Sequence, residues 1–227
     1  MSEEHDGHLR ATYNEIHTLI GKAAERIERE FAPDLFVAIG GGGFFPARVL
    51  RTFIKHPQSK KTISIQAIGL SLYEELPSTT EEQMASEVIR TQWLGPETKT
   101  LLGRRVLIVD EVDDSRTTLQ YAVRELQKDV EKELLVSGID TGHSDSTLKI
   151  FQLLPEPKRE AMRPKFGIFV VHNKLKPKKG TLPLDIPYFS GEDIGDAWFD
   201  YPWEVKDVYE HDRMTELGRK LEAKKST

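Results

Sequence analysis

The sequence predicts an α/β fold: a mostly parallel central sheet with flanking helices, followed by a small C-terminal hood. Three short apolar runs, at residues 35–39, 106–109 and 166–171, have the length and composition of strands buried on both faces. Segments with helical spacing separate them, and strands that alternate with helices form parallel sheets through right-handed crossovers. Because ligands of such sheets bind beyond the carboxyl ends of the strands, the polar residues after each run are the candidates for chemistry.

The first half of the chain predicts two helices, two strands and a long loop. Apolar residues that include Ile16 and Ile20 recur at helical spacing, and Pro33 follows them as a stop. Pro46 stands where the first turn of a second helix tolerates it. The predicted elements are a helix at 12–31, a strand at 35–39, a helix at 45–53, an alternating strand at 62–70 and a polar loop or lid at 73–95.

The second half predicts two more strands, one helix and an aromatic hood. Tyr188, Trp198, Tyr201 and Trp203 concentrate near two prolines, which indicates a small cap over a site. The lysine- and glutamate-rich tail is expected to be a solvated helix or disordered. The predicted segments are a strand at 106–109, a helix at 117–132, a polar insertion at 138–164 and a strand at 166–171. Residues 1–227 form one domain, with a core at about 12–185, the hood at about 186–210 and the tail at 211–227.

The composition excludes several classes of function. The net charge of −5 supplies no general positive field for nucleic acid or for an anionic membrane surface. The absence of cysteine excludes disulfides, thiolate zinc sites and cysteine nucleophiles. No apolar run approaches the roughly 20 residues of a membrane span, and the charged start of the chain does not resemble a secretory signal. We therefore expect a cytoplasmic protein with no nucleic-acid or membrane partner.

The segment at 106–118, VLIVDEVDDSRTT, carries the strongest functional signal. The aliphatic strand runs directly into Asp110 and Glu111, whose carboxylates can accept hydrogen bonds from sugar hydroxyls. The hydroxyl residues that follow precede a predicted helix, where free amides and the helix dipole can hold a phosphate. The alternative is that these acids only cap the helix and face water.

This segment resembles the phosphoribosyl-pyrophosphate motif of the type I phosphoribosyltransferases, and it is most similar to the 6-oxopurine branch of that family. The resemblance implies that Asp110 and Glu111 bind the ribose hydroxyls and that Asp114, after two spacer positions, assists proton transfer near the purine N7. Family members usually carry Gly-Lys or Gly-Gly before the final threonine, where this chain has Arg116 and Thr117. The residues implied to bind phosphoribosyl pyrophosphate are Asp110, Glu111, Asp114, Ser115, Arg116, Thr117 and Thr118.

The glycines at 40–43 occupy the position of the family's pyrophosphate-binding loop. Glycine lets the backbone approach anionic oxygens closely, and family members often place a cis peptide bond between non-proline residues here. A plain tight turn is the alternative, and a dinucleotide-binding loop is a rival that lacks its third spaced glycine. The residues implied to form the loop are Gly40, Gly41, Gly42 and Gly43.

The purine site is predicted from two later segments. Residues 198–204, WFDYPWE, resemble a segment of bacterial xanthine-guanine relatives, which implies that Trp198 stacks on the purine and that the Phe199 backbone meets its edge. The family's lysine for the 6-oxo group aligns with Lys174, and His172 is the second choice. The alternatives are an ordinary core tryptophan and a solvated lysine-rich loop.

The resemblance also implies a lid, a metal and a reaction. Ser71, Leu72 and Tyr73 would open the lid, and Mg²⁺ would bind mostly through the substrate, with Asp110, Glu111 and Glu204 as candidate protein ligands. The expected reaction is purine salvage: hypoxanthine or guanine reacts with phosphoribosyl pyrophosphate to give IMP or GMP and pyrophosphate, and xanthine is a third candidate base. The alternatives are a xanthine-preferring enzyme and a regulator that binds phosphoribosyl pyrophosphate without catalysis. A homodimer is the implied assembly.

Overall fold

The computed structural model describes residues 6–71, 88–136 and 155–225. The strands in these ranges are β1 (Leu9–Arg10), β2 (Leu35–Gly40), β3 (Ser64–Ser71), β4 (Ile89–Gln92), β5 (Arg105–Asp113), β6 (Lys165–Lys174), β7 (Tyr188–Ile194) and β8 (Phe199–Asp200). The helices are α1 (Tyr13–Glu30), α2 (Phe44–Phe53), α3 (Thr117–Val136), α4 (Glu156–Met162) and α5 (Val208–Lys225), with a 3-10 helix at Gly95–Leu101. None of these helices is both long and apolar enough to cross a membrane.

A six-stranded sheet forms the centre of the molecule, in the order β4-β3-β2-β5-β6-β7. Every neighbouring pair in it is parallel except β3 and β4, which confirms the predicted α/β class with a mostly parallel sheet. β2 and β5 are adjacent, with Ala38 opposite Val109. This pairing brings the glycine loop after β2 next to the acidic end of β5.

Two apolar layers cover the two faces of the sheet. Val106 and Ile108 of β5 pack in the layer that contains the buried face of α3, whereas Leu107 and Val109 pack in the layer with α1 and α2. This alternation is the two-residue period of a strand buried on both faces. Thr12 caps α1 by accepting a hydrogen bond from the Glu15 amide, while the Glu15 carboxylate accepts one from the Thr12 amide.

The structure differs from the predicted boundaries at five elements. β7 lies in the central sheet beside β6, although the sequence prediction placed it in the hood. β4 is an antiparallel edge strand within the predicted loop at 73–95, and β5 and β6 each continue past their apolar runs. The predicted insertion at 138–164 contains α4, and its residues 138–154 lie outside the described ranges.

The hood is a smaller feature than the sequence predicted. β8 pairs in parallel with β1, so a two-stranded sheet joins the start of the described chain to the aromatic segment. The tail forms α5, in which His211 and Thr215 are buried. His211 Nε2 lies 3.0 Å from the carbonyl oxygen of Ala11, so α5 packs beside β1 and does not stand free in solvent.

Candidate active site

A cleft of about 410 Å³ lies at the carboxyl ends of β2 and β5. The glycine loop forms one side of it and the segment at 110–119 forms the other, as expected for a ligand site in a parallel sheet. Lys176, Pro177 and Lys179, which follow β6, complete the lining together with Leu70 of β3. Two predicted binding segments, which are distant in the sequence, therefore share one cleft.

The glycine loop requires glycine because it packs tightly against β5. A Cβ atom added to Gly42 would lie 2.0 Å from the carboxyl carbon of Glu111. One added to Gly43 would lie 2.4 Å from the carbonyl oxygen of Val109. The peptide bond between Gly40 and Gly41 is cis, as the resemblance implied for this loop. The loop backbone therefore approaches the acidic strand end as closely as its atoms allow.

Two carboxylates at the end of β5 lie in a poorly solvated environment. Burial raises the pKa of Glu111 to about 7; the nearby Glu204 adds to this rise, and a hydrogen bond of 2.7 Å from Trp203 Nε1 opposes it. Burial and the neighbouring Glu111 raise the pKa of Asp110 well above its ordinary value. Such a pair favours ligands that bring positive charge or hydroxyl donors, and hard oxygen donors suit Mg²⁺. The residues present therefore fit both a ribose diol and a magnesium ion.

Asp114 lies among lysine side chains and is half-exposed. Its Oδ1 is 2.6 Å from Lys176 Nζ and 3.8 Å from Lys174 Nζ. Burial acts to raise the pKa of Asp114, but the hydrogen bond from Lys176 and the charges of Lys174 and Lys178 outweigh it and lower that pKa. Asp114 is therefore ionised at neutral pH, which is the form that can accept a proton.

Residues 114–116, called the phosphate loop here after their predicted role, join β5 to α3. The Ser115 hydroxyl donates a hydrogen bond to Thr117 Oγ1 at 3.0 Å, and the helix begins at Thr117. Ser115, Thr117 and Thr118 line the cleft, where the first turn of α3 offers backbone amides to an anion. Arg116 has a φ of 68°, the left-handed region that favours glycine. The position where this chain departs from the family pattern thus has the backbone conformation of the usual glycine.

The geometry separates the two candidates for the purine carbonyl. Lys174 is 8% exposed, and its Nζ faces Asp114. His172 is also buried, but its Nδ1 lies 2.9 Å from the Tyr201 hydroxyl, which donates to the carbonyl oxygen of Glu111. Burial lowers the pKa of His172 to about 4, so the ring is neutral. Lys174 thus faces Asp114 whereas His172 faces Tyr201, neither of them lines the cleft, and the purine role of each stays a prediction.

The aromatic residues of the hood divide between surface and interior. The Trp198 side chain is 67% exposed, and its ring centroid lies 6.3 Å from that of His8. Asp196, two residues before it, binds Lys176 at 2.8 Å, but Trp198 itself lies outside the lining of the cleft. The Phe199 ring packs 4.2 Å from the His172 ring. The purine-binding roles of Trp198 and Phe199 stay predictions.

The remaining predicted residues include two that lie outside the described ranges. Ser71 ends β3, whereas Leu72 and Tyr73 of the predicted lid are not described. The Glu204 carboxylate accepts a hydrogen bond from the Tyr201 amide at 3.3 Å, so it caps the turn after β8 as well as raising the pKa of Glu111.

The sequence prediction missed three residues that form ion pairs or hydrogen bonds with predicted site residues. Asp113, treated as a spacer, is buried and binds Arg116. Lys176 binds Asp114, although its cluster also matched an ordinary solvated loop. Trp203 binds Glu111, whereas the same aromatic segment had suggested Trp198. The available signal was the lysine and aromatic content of these segments, but the individual partner depends on the tertiary fold.

Comparison with known sequences shows extensive similarity to purine phosphoribosyltransferases. No protein-family model matches the chain. It is 50% identical over 208 residues to the hypoxanthine-guanine phosphoribosyltransferase of Schizosaccharomyces pombe, covering 88% of this chain and 91% of the relative. Identity to the Saccharomyces cerevisiae enzyme of the same name is 48%, covering 89% of this chain and 88% of the relative. Identity to xanthine phosphoribosyltransferase 1 of S. cerevisiae is 41%, over 88% of this chain and 91% of the relative.

Solved structures share the fold of this chain. A hypothetical protein from Neisseria gonorrhoeae with bound ppGpp superposes with a TM-score of 0.69 at 36% identity, covering 93% of this chain and 98% of that one. A purine phosphoribosyltransferase from Pyrococcus horikoshii shares the fold with a TM-score of 0.56 at 19% identity, covering 89% and 97%. By its sequence similarity along most of its length and by its fold, this chain belongs to the purine phosphoribosyltransferase family, in the branch of the hypoxanthine-guanine enzymes.

Proposed function

We propose that this protein transfers the phosphoribosyl group of phosphoribosyl pyrophosphate to hypoxanthine and guanine, forming IMP and GMP. In this reaction the bond from ribose C1 to pyrophosphate breaks, a bond from C1 to purine N9 forms, and the base loses a proton. The observation that carries the proposal is the cleft in which the glycine loop, the acids of β5 and the start of α3 meet. The two fungal relatives named for this activity support the choice of substrates.

The acids and the loops hold the sugar phosphate in this proposal. Asp110 and Glu111 accept hydrogen bonds from the ribose hydroxyls, and the amides at the start of α3 bind the 5′-phosphate with Ser115, Thr117 and Thr118. The glycine loop binds the pyrophosphate through its backbone. Bound this way, the sugar presents C1 toward the Asp114 side of the cleft, where charge placement matters most because the transition state resembles an oxocarbenium ion.

Lys174, Trp198 and Asp114 act on the purine. Lys174 donates a hydrogen bond to the 6-oxo group, which an adenine amino group could not accept in the same way. Trp198 stacks on the ring, and the Phe199 backbone meets its edge. Asp114, ionised among its lysines, accepts the proton that the base loses.

Magnesium is the metal that this donor set fits. When bound, Mg²⁺ supplies a positive charge that offsets the charge developing on the pyrophosphate oxygens. Asp110 and Glu111 are the side chains that would hold it, either directly or through water, and Glu204 is near enough to influence Glu111. Both carboxylates must be ionised for this role, and a cation would favour that form.

The test is a side-by-side assay with magnesium, phosphoribosyl pyrophosphate and four bases: hypoxanthine, guanine, xanthine and adenine. We expect nucleotide formation and pyrophosphate release with hypoxanthine and guanine, and none with adenine. Nucleotide formation only with adenine, or with none of the four bases, would contradict the proposal.

Two observations favour specific second candidates. The 41% identity to a xanthine phosphoribosyltransferase favours xanthine as an additional or preferred base, and the xanthine arm of the assay decides this. The relative solved with ppGpp carries a guanine nucleotide with pyrophosphate groups, which is the chemistry that this cleft would bind. A non-catalytic sensor would bind phosphoribosyl pyrophosphate at equilibrium without releasing pyrophosphate from any base.

We also propose a homodimer in the cytoplasm. Tyr13, Phe45 and Phe53 expose aromatic surface on α1 and α2, which is the kind of surface that a second copy can cover. Light scattering at micromolar concentration should give the mass of two chains, and the mass of one chain would contradict the assembly.

A further inference from the structure

Arg116 is the residue at which the phosphate loop departs from the family pattern. Its φ of 68° is strained for any residue with a Cβ atom and free for glycine. A strained conformation persists only where the surroundings hold it in place. The contacts of Arg116 therefore identify the interactions that hold a residue other than glycine in this conformation.

The Arg116 side chain is anchored behind the loop on a buried carboxylate. Its Nε and Nη2 donate to Asp113 Oδ2 at 2.9 and 2.7 Å, and the Asp113 side chain is 0% exposed. The Tyr188 hydroxyl donates to the same oxygen at 2.8 Å, and the guanidinium lies 5.1 Å over the Tyr188 ring. Because Asp113 belongs to β5 and Tyr188 to β7, the arginine joins the loop to two strands of the sheet.

Residues 178–180 donate hydrogen bonds to the carbonyl groups of the loop. Lys178 Nζ donates to the carbonyl oxygens of Asp113 and Asp114 at 2.6 and 3.0 Å. The amides of Lys179 and Gly180 both donate to the carbonyl oxygen of Ser115 at 3.0 Å. Three successive carbonyls are therefore occupied by residues 178–180, so the amides, and not the carbonyls, are left for an anion.

We propose that Arg116 is a positioning residue, which holds the phosphate loop in its anion-binding conformation through Asp113 and Tyr188 and does not itself contact the phosphate. Two guanidinium nitrogens of Arg116 already donate to Asp113, so the loop binds phosphate with its backbone amides and hydroxyls. The ion pair supplies the rigidity for a backbone conformation that glycine would adopt without help. This inference rests on the proposed function, because it assigns a role within the same phosphate site.

Arg116→Gly is the sharpest variant, since glycine adopts the positive φ without strain and only the anchor is lost. We expect the KM for phosphoribosyl pyrophosphate and the Kd of GMP to rise about tenfold or more, because small displacements of binding groups are costly. The kcat and the Kd of guanosine, which has no phosphate, should change by less than about twofold. Arg124→Ala is the matched control: this arginine lies on α3, the helix that follows Arg116, is exposed and pairs with the adjacent Glu125.

Asp113→Asn separates positioning from direct contact. If Arg116 positions the loop, Asp113→Asn raises the KM for phosphoribosyl pyrophosphate and the Kd of GMP. The double variant with Arg116→Gly then shows little further rise in either constant. If Arg116 binds the phosphate directly, its release in Asp113→Asn leaves GMP binding unchanged or tighter, and the inference is overturned.

Tyr188→Phe tests the same anchor without altering a buried charge, in case Asp113→Asn does not fold. We expect a smaller rise in the Kd of GMP at an unchanged melting temperature. GMP binding by calorimetry does not require turnover, so the result separates two failures. An inactive wild-type enzyme would contradict the proposed function, whereas an active enzyme with unchanged GMP binding in Arg116→Gly and Tyr188→Phe would overturn only this inference.

Discussion

Asp113 and Asp114 are adjacent in the chain, yet their surroundings differ. Asp113 is fully buried and accepts hydrogen bonds from Arg116 and Tyr188. Asp114 is half-exposed at the cleft, and its charge is balanced by Lys176 and Lys174. Burial with fixed partners suits an anchor, whereas an accessible and ionised carboxylate is in the form that can accept a proton.

Asp114→Asn is expected to lower turnover at least about tenfold, because an amide oxygen cannot accept the proton that a carboxylate takes. Binding of phosphoribosyl pyrophosphate should change little, since Asp114 acts on the base. Steady-state kinetics and equilibrium binding measure the two effects separately. Asp185→Asn, at an exposed aspartate, is the control, and an unchanged rate in Asp114→Asn would remove this residue from the mechanism.

The stability of the ligand-free protein should depend on the protonation of Glu111. Burial raises its pKa in the folded state to about 7, from an ordinary value of 4.5, so the folded state holds this proton more tightly than the unfolded chain. The contribution of this group to stability is therefore complete below pH 4.5 and is lost as the pH rises through 7. The ionised Glu111 carboxylate thus lowers the free energy of unfolding of the ligand-free protein at neutral pH.

Glu111→Gln should therefore become more stable relative to the wild type as the pH rises from 4.5 to 8, because glutamine carries no charge. The difference in the free energy of unfolding should approach a limit of about 3 kcal/mol, which corresponds to the rise of this pKa from 4.5 to about 7. Urea denaturation in magnesium-free buffer at several pH values measures it. Glu97→Gln, at an exposed glutamate, serves as the control; a difference that does not vary with pH would contradict the argument.

At the scale of elements, the glycine loop and β5 act as one unit. The loop can pass beside the acidic strand end only because Gly42 has no side chain where the Glu111 carboxylate lies. The position of Glu111 in turn depends on Trp203, which follows β8. Three separate segments therefore determine where one carboxylate stands.

Gly42→Ala should displace Glu111 and lower kcat/KM for phosphoribosyl pyrophosphate by about tenfold or more, as expected for a misplaced binding group. The fold should survive, because the clash falls on a side chain and not on the backbone. Gly195→Ala is the matched control, since an added Cβ there meets nothing within 4 Å. Equal activity in the two variants would show that the loop does not depend on this close approach.

The elements that the sequence predicted well are those with strong periodicity. β2, the apolar part of β5 and α1 have continuous runs or helical spacing, and their positions agree with the structure. β4 and β7 are the two edges of the sheet and are polar, with the sequences IRTQ and YFSGEDI. An edge strand needs no continuous apolar run, so its pattern resembles a loop.

The candidate site was predictable where its residues are contiguous. The acids and the phosphate loop lie in one thirteen-residue segment, and the structure places them around one cleft. The contacts of Lys176 with Asp114 and of Tyr188 with Asp113 join segments far apart in the chain. Such pairs depend on how β6 and β7 lie beside β5, which a single sequence does not specify.

At the scale of the whole molecule, the two ends of the described chain pack together. β1 pairs with β8, and α5 covers β1 through the contact of His211 with Ala11. Arg219 of α5 also forms an ion pair with Glu15 of α1. The tail is thus part of the folded unit, although the sequence prediction assigned it no role.

A chain that ends at Asp207, and so lacks α5, should melt at least about 4 °C lower, because this amounts to losing one or more kcal/mol in a domain of this size. Calorimetry of the truncated and full-length proteins measures the change. A chain that ends at Ala223 is the control and should melt like the full-length protein. Equal melting temperatures for all three would show that α5 adds nothing to stability.

The pairing of Leu9 with Phe199 also bears on how the protein is made. During synthesis, the glycine loop and the acidic segment leave the ribosome early, and the strands that carry them can pair while translation continues. β1 must wait for β8 until nearly the whole chain has emerged. The glycine loop and the acidic end of β5 can therefore come together on a nascent chain, whereas the contacts of Tyr188 and Lys178 with Asp113 form later and the pairing of β1 with β8 forms last.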